Sequence, residues 1–392
     1  MKLLNNNNIF IVLFISLILV KFVGAVYSIS LYPITTILII FLFSSQNFIL
    51  SNLKKYWIFL LLFGSYAIIT LLWTSAPNYG LRKIYLILPL LVIGILSANI
   101  FKENRLKFLK FSGIFFFGVL LILIFVDFDK IIENSLYSTN RYRIDEQVNS
   151  NTIAVFFGIG TIISLYNYKV LKGISRFFLL FSTIAFIGFS VFNGSRGNLI
   201  SIIFSIVLVE ILYASNNNKA YLKYLTFIIV FLLVIINTGF FKNLIEHNYF
   251  ISSRFLSEES YVSLDERFLS YRLVLSNIDL KIFLGNGIGD FGNLLTGTDT
   301  TAYPHNIFLE ILYELGFIIF SVFLTILFLL HRKCIRLRKI NKVSNDILFI
   351  INLVIYFLLF AQSSGDITDN FLLFIFLIYL HNILNEHKHV KT

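Results

Sequence analysis

Residues 303–339 read YPHNIFLEILYELGFIIFSVFLTILFLLHRKCIRLRK. After the polar opening, 305–330 is an apolar-rich run, long enough to cross a bilayer core of about 30 Å as a helix. It ends in Arg332, Lys333, Arg336, Arg338 and Lys339. Lys and Arg are retained on the cytoplasmic side of membrane proteins, so the His305 end faces outward. A histidine at the mouth of a membrane helix, beside the largest polar loop of the chain, points to chemistry more than to packing.

The same alternation of apolar run and charged loop fills the chain. Hydrophobic residues make up 57% and aromatic residues 17% of the 392 positions, with only four prolines, and the mean hydropathy is +0.83. That composition excludes a soluble fold. Apolar stretches fall near 9–25, 28–43, 56–72, 84–100, 108–126, 150–167, 176–192, 198–214, 222–241, 305–330, 346–362 and 370–384. They lack the period-2 alternation of a β-barrel. The sequence predicts an all-α polytopic membrane protein of about twelve transmembrane helices, with 1–392 as one integral membrane domain.

With the N-terminus inside, the inner loops receive Lys54 and Lys55, then Lys102, Arg105, Lys107 and Lys110, then Lys169, Lys172 and Arg176, then Lys219 and Lys223, and finally the basic run from Arg332 to Lys342. With Lys2, Lys388 and Lys391, 20 of the 32 cations lie inside, against only Glu103, Glu210, Asp346 and Glu386 among the 21 acids. Both termini are therefore expected in the cytoplasm, and the net charge of +11 is a topology signal instead of a nucleic-acid footprint. Residues 1–24 show no small-residue cleavage site and read as an uncleaved first helix. The single Cys334 excludes an intramolecular disulfide and a cysteine-type metal site.

Two outer loops are long, 127–149 and 242–304, the second lying between the ninth and tenth spans. Loops beyond about 15 residues in a compact protein are usually functional. Between 265 and 282, Phe268, Tyr271, Leu275, Ile278 and Ile282 recur at spacings of three and four, one stripe of an amphipathic helix suited to lie on the membrane surface. Arg267 falls on one flank of that stripe and Arg272 on the other, where both guanidiniums reach headgroup depth. They are candidates for binding a lipid-linked diphosphate; the alternative is that they snorkel to ordinary lipid phosphates.

Arg196 stands in the short outer turn Asn193-Gly194-Ser195-Arg196-Gly197. An Arg so near the hydrocarbon is costly unless paired, and a phosphate would pair it bidentately; an interfacial anchor is the competing reading. Arg141 and Arg143, in the 127–149 loop, either add to the same anion site or pair with Asp145 and Glu146. Pro304 suits the first turn of a helix, so His305 is expected in that turn, with the helix dipole keeping its imidazole neutral and able to act as a general base. Asn306 is a candidate to orient a sugar or the imidazole. Glu310 and Glu314 lie one and two turns deeper on adjacent faces, with the outer arginines as expected partners.

Two motifs are decoys. Gly287-Ile288-Gly289-Asp290-Phe291-Gly292 fits GxGxxG without the strand and cytoplasmic location that dinucleotide binding requires; with Gly285 it reads as a tight turn returning the chain toward His305. Asp127-Phe128-Asp129 resembles a metal-holding DxD pair, a pattern that arises easily in an acidic loop.

His305, Asn306 and Gly316, with nine residues between the last two, resemble the signature of the O-antigen ligase and O-antigen polymerase superfamily. The family continues with Gly, Thr or Tyr three residues later, where this chain has Ile319. Ser195-Arg196-Gly197 is similar to the family's Ser-Arg-Gly turn, and Arg272 followed by Gly285-Asn286-Gly287-Ile288-Gly289 is similar to its Arg and Gly-rich loop. The resemblance implies a GT-C-like membrane fold in the bacterial inner membrane. It also implies glycan transfer from an undecaprenyl diphosphate carrier to an acceptor hydroxyl at the periplasmic face, inverting, without metal, nucleotide sugar or other cofactor. His305 would be the catalytic base, Arg196, Arg267 and Arg272 would bind diphosphate, and Asn306, Glu314, Arg141 and Arg143 would contact or orient substrate. The acceptor is lipid A-core for a ligase, the growing glycan for a polymerase, or a protein hydroxyl. A lipid-linked sugar transporter is the reading from another class; it fits less well, because the ionisable residues gather at the outer surface instead of mid-membrane.

Overall fold

The computed structural model describes residues 60–126, 150–192, 195–213, 258–278, 280–340 and 342–386, with a few isolated positions before residue 40. All longer elements among them are helices. A π-helical turn, Leu60–Ser65, leads into α1 (Tyr66–Thr70). α2 (Pro77–Val126) bends at Asn104, whose φ of −117° and ψ of 17° leave the helical region. Its side chain donates to the carbonyl of Ile100 at 2.9 Å, the kind of local bond by which Asn competes with the helix ladder. The spans expected at 84–100 and 108–126 are the two arms of this bent helix.

Next come α3 (Ser150–Val170), α4 (Ile174–Phe192), α5 (Arg196–Leu212), α6 (Glu258–Ser276) and the short α7 (Phe291–Thr296). α8 (Ile307–Glu310) runs through a π-helical turn, Ile311–Leu315, into α9 (Gly316–Lys339), followed by α10 (Asn345–Phe360) and α11 (Phe371–Glu386). Among the described residues, Pro77–Ala98, Ile153–Val170 and Ile307–Lys339 are long and apolar enough to cross a membrane. Ile174–Ser190, Asn345–Phe360 and Phe371–Asn385 are shorter apolar helices. The spans expected at 9–25, 28–43 and 222–241 lie wholly or almost wholly outside the described residues.

α10 and α11 form the centre, packed against α2, α3 and α5. Aromatic rings fill it: Phe101 stacks on Tyr379 with centroids 4.1 Å apart, and Phe116 on Phe156 at 4.7 Å. Several buried polar groups pair across the bundle, as a low-dielectric core favours. The Tyr356 hydroxyl donates to Asn198 Oδ1 at 2.6 Å, and Ser97 Oγ lies 2.7 Å from the Tyr379 hydroxyl. Gly158 makes room for the first of these, since a Cβ there would sit 2.1 Å from the Tyr356 hydroxyl. We expect Gly158→Ala to destabilise the protein by roughly 1–3 kcal/mol through overpacking, read as a lowered thermal transition that Tyr356→Phe partly restores.

One end of the bundle collects cations from the loops expected inside. Arg105 pairs with Asp346 and Lys169 with Glu210, and Arg338 donates to the carbonyl of Leu212 at 3.1 Å. At the other end the start of α5, the loop 285–290, the segment 303–306 and the loop 361–370 come together with the start of α2.

Candidate active site

Asn306 is the N-cap of α8. Its Oδ1 accepts from the backbone N–H groups of Phe308 at 3.0 Å and Leu309 at 3.1 Å, satisfying donors that a helix start leaves open. His305 therefore precedes the helix, where the sequence reading had put it in the first turn. It takes a left-handed backbone, φ 56°, a conformation costly for a residue with a side chain and maintained only when its surroundings fix it. Ile307 N–H donates to the Ala361 carbonyl at 2.9 Å, pinning the turn against the loop after α10. Asn306 thus has a structural task that sequence reasoning did not assign.

The imidazole of His305 is half-buried with its ring 4.5 Å from that of Tyr303, and its Nδ1 is buried without a hydrogen-bond partner among the described residues. Burial, and secondarily the charge of Arg267, lower its pKa to about 4. The neutral form expected from the helix dipole is present for a different reason, desolvation plus a neighbouring cation. Burial and then the charges of Asp369, Asp366 and Glu310 hold the Tyr303 phenol above its usual range, so it stays a hydrogen-bond donor.

α6 brings Arg267 to this ring. The helix covers Glu258–Ser276, earlier than the expected 265–282, and Ile278 and Ile282 fall beyond its end. Phe268 and Leu275 of the predicted stripe are 57% and 55% exposed, while Ser270 and Val274 are buried; Val274 packs with Phe291 and Tyr313. The Tyr271 hydroxyl donates to the Gln362 carbonyl at 3.1 Å and ties the helix to the 361–370 loop. Arg267 is half-buried, and burial, with a smaller effect from Arg196, holds its pKa below the usual range. Among the described residues no carboxylate forms a salt bridge with it. Arg196 opens α5, and the first turn of that helix leans on the 361–370 loop, where a Cβ on Gly197 would lie 2.3 Å from Ser363 Oγ. Arg196, Arg267 and His305 thus share one electrostatic neighbourhood. Arg272 does not join them: it is exposed, five residues further along α6 and so about 140° round its axis. Arg141, Arg143 and the Asp127–Asp129 pair lie outside the described residues.

Glu310 and Glu314 do not reach the arginines. Both meet Lys83 of α2, with Nζ 2.7 Å from Glu310 Oε1 and 2.8 Å from Glu314 Oε1, every one of these side chains fully buried. Four residues apart, the two glutamates are neighbours on the helix surface, and with the π-helical turn between them both point at one ammonium, where the sequence places them on adjacent faces. Glu310 Oε1 also accepts from Ile367 N–H at 3.1 Å, and Glu314 Oε2 from Gly289 N–H at 2.9 Å. Nearby, the Tyr79 hydroxyl donates to Asp366 Oδ2 at 2.6 Å, and Asp366 Oδ1 accepts from Thr368 Oγ1 at 2.6 Å and Asp369 N–H at 2.8 Å. Burial alone would raise the Asp366 carboxyl; Lys83 and these hydrogen bonds outweigh it and hold it below the usual range.

The glycine-rich segment is a docking loop. Gly285, Gly287 and Gly289 all have positive φ, and Asn286 N–H and Gly287 N–H donate to the carbonyls of Tyr313 and Glu314 at 2.8 and 3.0 Å, groups that the π-turn and the break at Gly316 release. Gly316 has φ 80° and ψ 172°, a region reserved for glycine, and a Cβ there would lie 2.5–2.6 Å from backbone atoms of Phe283 and Gly285. Those neighbours cannot yield as a side chain would. Gly316→Ala should cost on the order of 3 kcal/mol or more, measurable as a lower unfolding temperature of the detergent-solubilised protein.

Lys83, Tyr79 and Asp366 escaped the sequence reading. A signal was present for the first: Arg82 and Lys83 stand at the outer end of an apolar run, against the bias that holds cations inside.

Taken together these features define an all-helical membrane protein with a polar site at one end of its bundle, built from a neutral histidine, two arginines and a buried lysine–carboxylate cluster. Residues 178–324 match the family described as O-Antigen ligase, which supports the O-antigen ligase and polymerase superfamily, a glycosyltransferase-like family acting on lipid-linked glycans at membranes. The matched segment contains Arg196, Arg267, Arg272, His305 and Gly316 and leaves Lys83 and Asp366 on either side. No curated protein matches the chain.

Proposed function

We propose that this protein is a metal-independent, inverting glycosyltransferase of the bacterial inner membrane. It moves a glycan from an undecaprenyl diphosphate carrier to an acceptor hydroxyl at the periplasmic face, most simply as a ligase acting on lipid A-core. The observation that carries the reading is the pairing of two like charges. Arg267 is half-buried near Arg196, without a carboxylate salt bridge among the described residues, an arrangement whose electrostatic cost a bound diphosphate would offset. His305, neutral with Nδ1 unoccupied, stands within reach of that charge.

In the reaction the acceptor oxygen bonds to the anomeric carbon while the bond from that carbon to the diphosphate oxygen breaks. The hydroxyl proton passes to His305, and the electron pair leaves with the diphosphate, whose growing charge the arginines meet. Attack from the face opposite the leaving group inverts the linkage. Diphosphate is already a good leaving group, so charge neutralisation and positioning suffice.

The test is the envelope glycan profile of cells lacking the gene, resolved into carrier-linked and lipid A-linked fractions. Long polymer stranded on the carrier beside bare core is the expected result. Single repeat units on core would make the protein a polymerase. An unchanged profile in both fractions would overturn transfer to lipid A and direct the search to protein or other polysaccharide acceptors.

A further inference from the structure

Lys83 is fully buried and touches neither His305 nor the arginines in any described hydrogen bond or salt bridge, yet the helix that follows His305 and two of the loops beside it are tied to its carboxylate partners. Glu310 lies one turn below the cap residue Asn306, and its backbone N–H donates to the Asn306 carbonyl at 2.9 Å. Through Glu310, Lys83 holds the start of the His305 helix; through the Ile367 N–H on the same carboxylate it holds the 361–370 loop. Through Glu314 and the Gly289 N–H it holds the glycine-rich loop. Its own helix adds Tyr79, whose ring lies 4.7 Å from the ammonium and whose hydroxyl bonds Asp366. One cation therefore joins four pieces of chain, from residues 79 to 367.

We propose that Lys83 is a positioning residue: by clamping Glu310 and Glu314 it fixes the strained His305 turn and the two loops beside it in the arrangement the reaction uses. This rests on the glycosyl-transfer reading of the site and adds to it a residue outside the matched segment. A left-handed histidine persists only where its neighbours over-determine it, and the Lys83 clamp supplies one of the two anchors of that turn, the Ala361 carbonyl supplying the other. A purely structural ion pair is replaceable by neutral residues of similar size. A positioning clamp is not, because displacement of a reacting group by about 1 Å costs on the order of 100-fold in rate.

The experiment compares wild type with Lys83→Met and with the neutral triple variant Lys83→Met, Glu310→Gln, Glu314→Gln. The triple variant leaves no uncompensated buried charge and keeps the test open if Lys83→Met fails to fold. Two readouts are taken on folded protein. The first is the pH dependence of diethyl pyrocarbonate modification at His305, followed by peptide mass spectrometry. Among the described residues the groups facing His305 are Arg267 and Tyr303, both retained in every variant. The lowered midpoint of His305 comes from burial and from Arg267, neither of which the triple substitution removes; a rise of a unit or more toward 6.5 therefore reports a displaced, more solvated ring. The second is turnover with a synthetic polyprenyl diphosphate-linked glycan, expected to fall about 100-fold in kcat with KM for the donor little changed. A folded triple variant with an unmoved His305 midpoint overturns the proposal. Wild-type protein that titrates as expected but transfers no glycan to any acceptor would instead sink the glycosyl-transfer reading, and the titration would still decide the role of Lys83.

Discussion

His305→Asn is expected to lower glycan transfer by roughly 10²–10⁴-fold, the usual contribution of a positioned general base. Asparagine is the informative replacement because it tolerates the left-handed backbone that His305 adopts at φ 56° better than other residues with a side chain. His305→Ala removes the base as well and adds backbone strain. The assay is single-turnover transfer in proteoliposomes, with the thermal transition of each variant measured in parallel. Full activity in folded His305→Asn protein would remove the base from the mechanism. The pH profile carries a second signature of the same residue. With the imidazole lowered to about 4 by burial and Arg267, the acid limb that it controls belongs near pH 4, well below the ordinary histidine value of about 6.5. The sign for stability follows from the same shift. Between about 6.5 and about 4 the unfolded chain binds a proton that the folded site refuses, so this group destabilises the fold as pH falls through that window and has no effect above it.

Arg267→Ala should cost about 10²–10³-fold in turnover, as removal of one preorganised charge from a developing anion does. Arg267→Lys should restore little, because an ammonium cannot reproduce the two-pronged contact of a guanidinium with phosphate oxygens. Arg272→Ala is the sharper control. Sequence gives the two arginines equal standing on α6, whereas the structure puts Arg267 half-buried beside His305 and leaves Arg272 exposed, so its loss should change turnover by only a few-fold. Equal losses for Arg267→Ala and Arg272→Ala, measured with the same polyprenyl diphosphate donor, would contradict this division of roles. A second effect is expected of Arg267→Ala. Without the cation, and with the ring still buried, the His305 midpoint should rise modestly, which modification kinetics can read in the absence of any substrate.

Much of the site was legible because its signals are local. A His-Asn pair at the mouth of an apolar run, an Arg in a glycine-flanked turn, and a glycine-rich stretch between two helices each follow from residue type and short spacing. The described spans fall near where hydropathy puts them, whereas the break at Gly316 inside the expected 305–330 run was not legible from hydropathy. The reading failed where the answer depended on what lies across the bundle. Helix periodicity gives the flank on which Arg267 and Arg272 stand, and says nothing of which flank meets protein; the exposed stripe of Phe268 and Leu275 shows that α6 turns its less apolar side inward.

By itself, the sequence determined the all-helical membrane class, the end of the bundle where the candidate residues gather, and the candidacy of His305, Arg196 and Arg267. Those follow from hydrophobic length, charge bias and chemical type, which are properties of short segments. Only the tertiary structure decided that Glu310 and Glu314 answer to Lys83, 227 and 231 residues away in the chain, that Asp366 answers to Tyr79, and that His305 is neutral through burial and a neighbouring guanidinium instead of a helix dipole. A buried charge takes whichever partner the packing brings within about 3 Å, and local sequence carries no record of that choice.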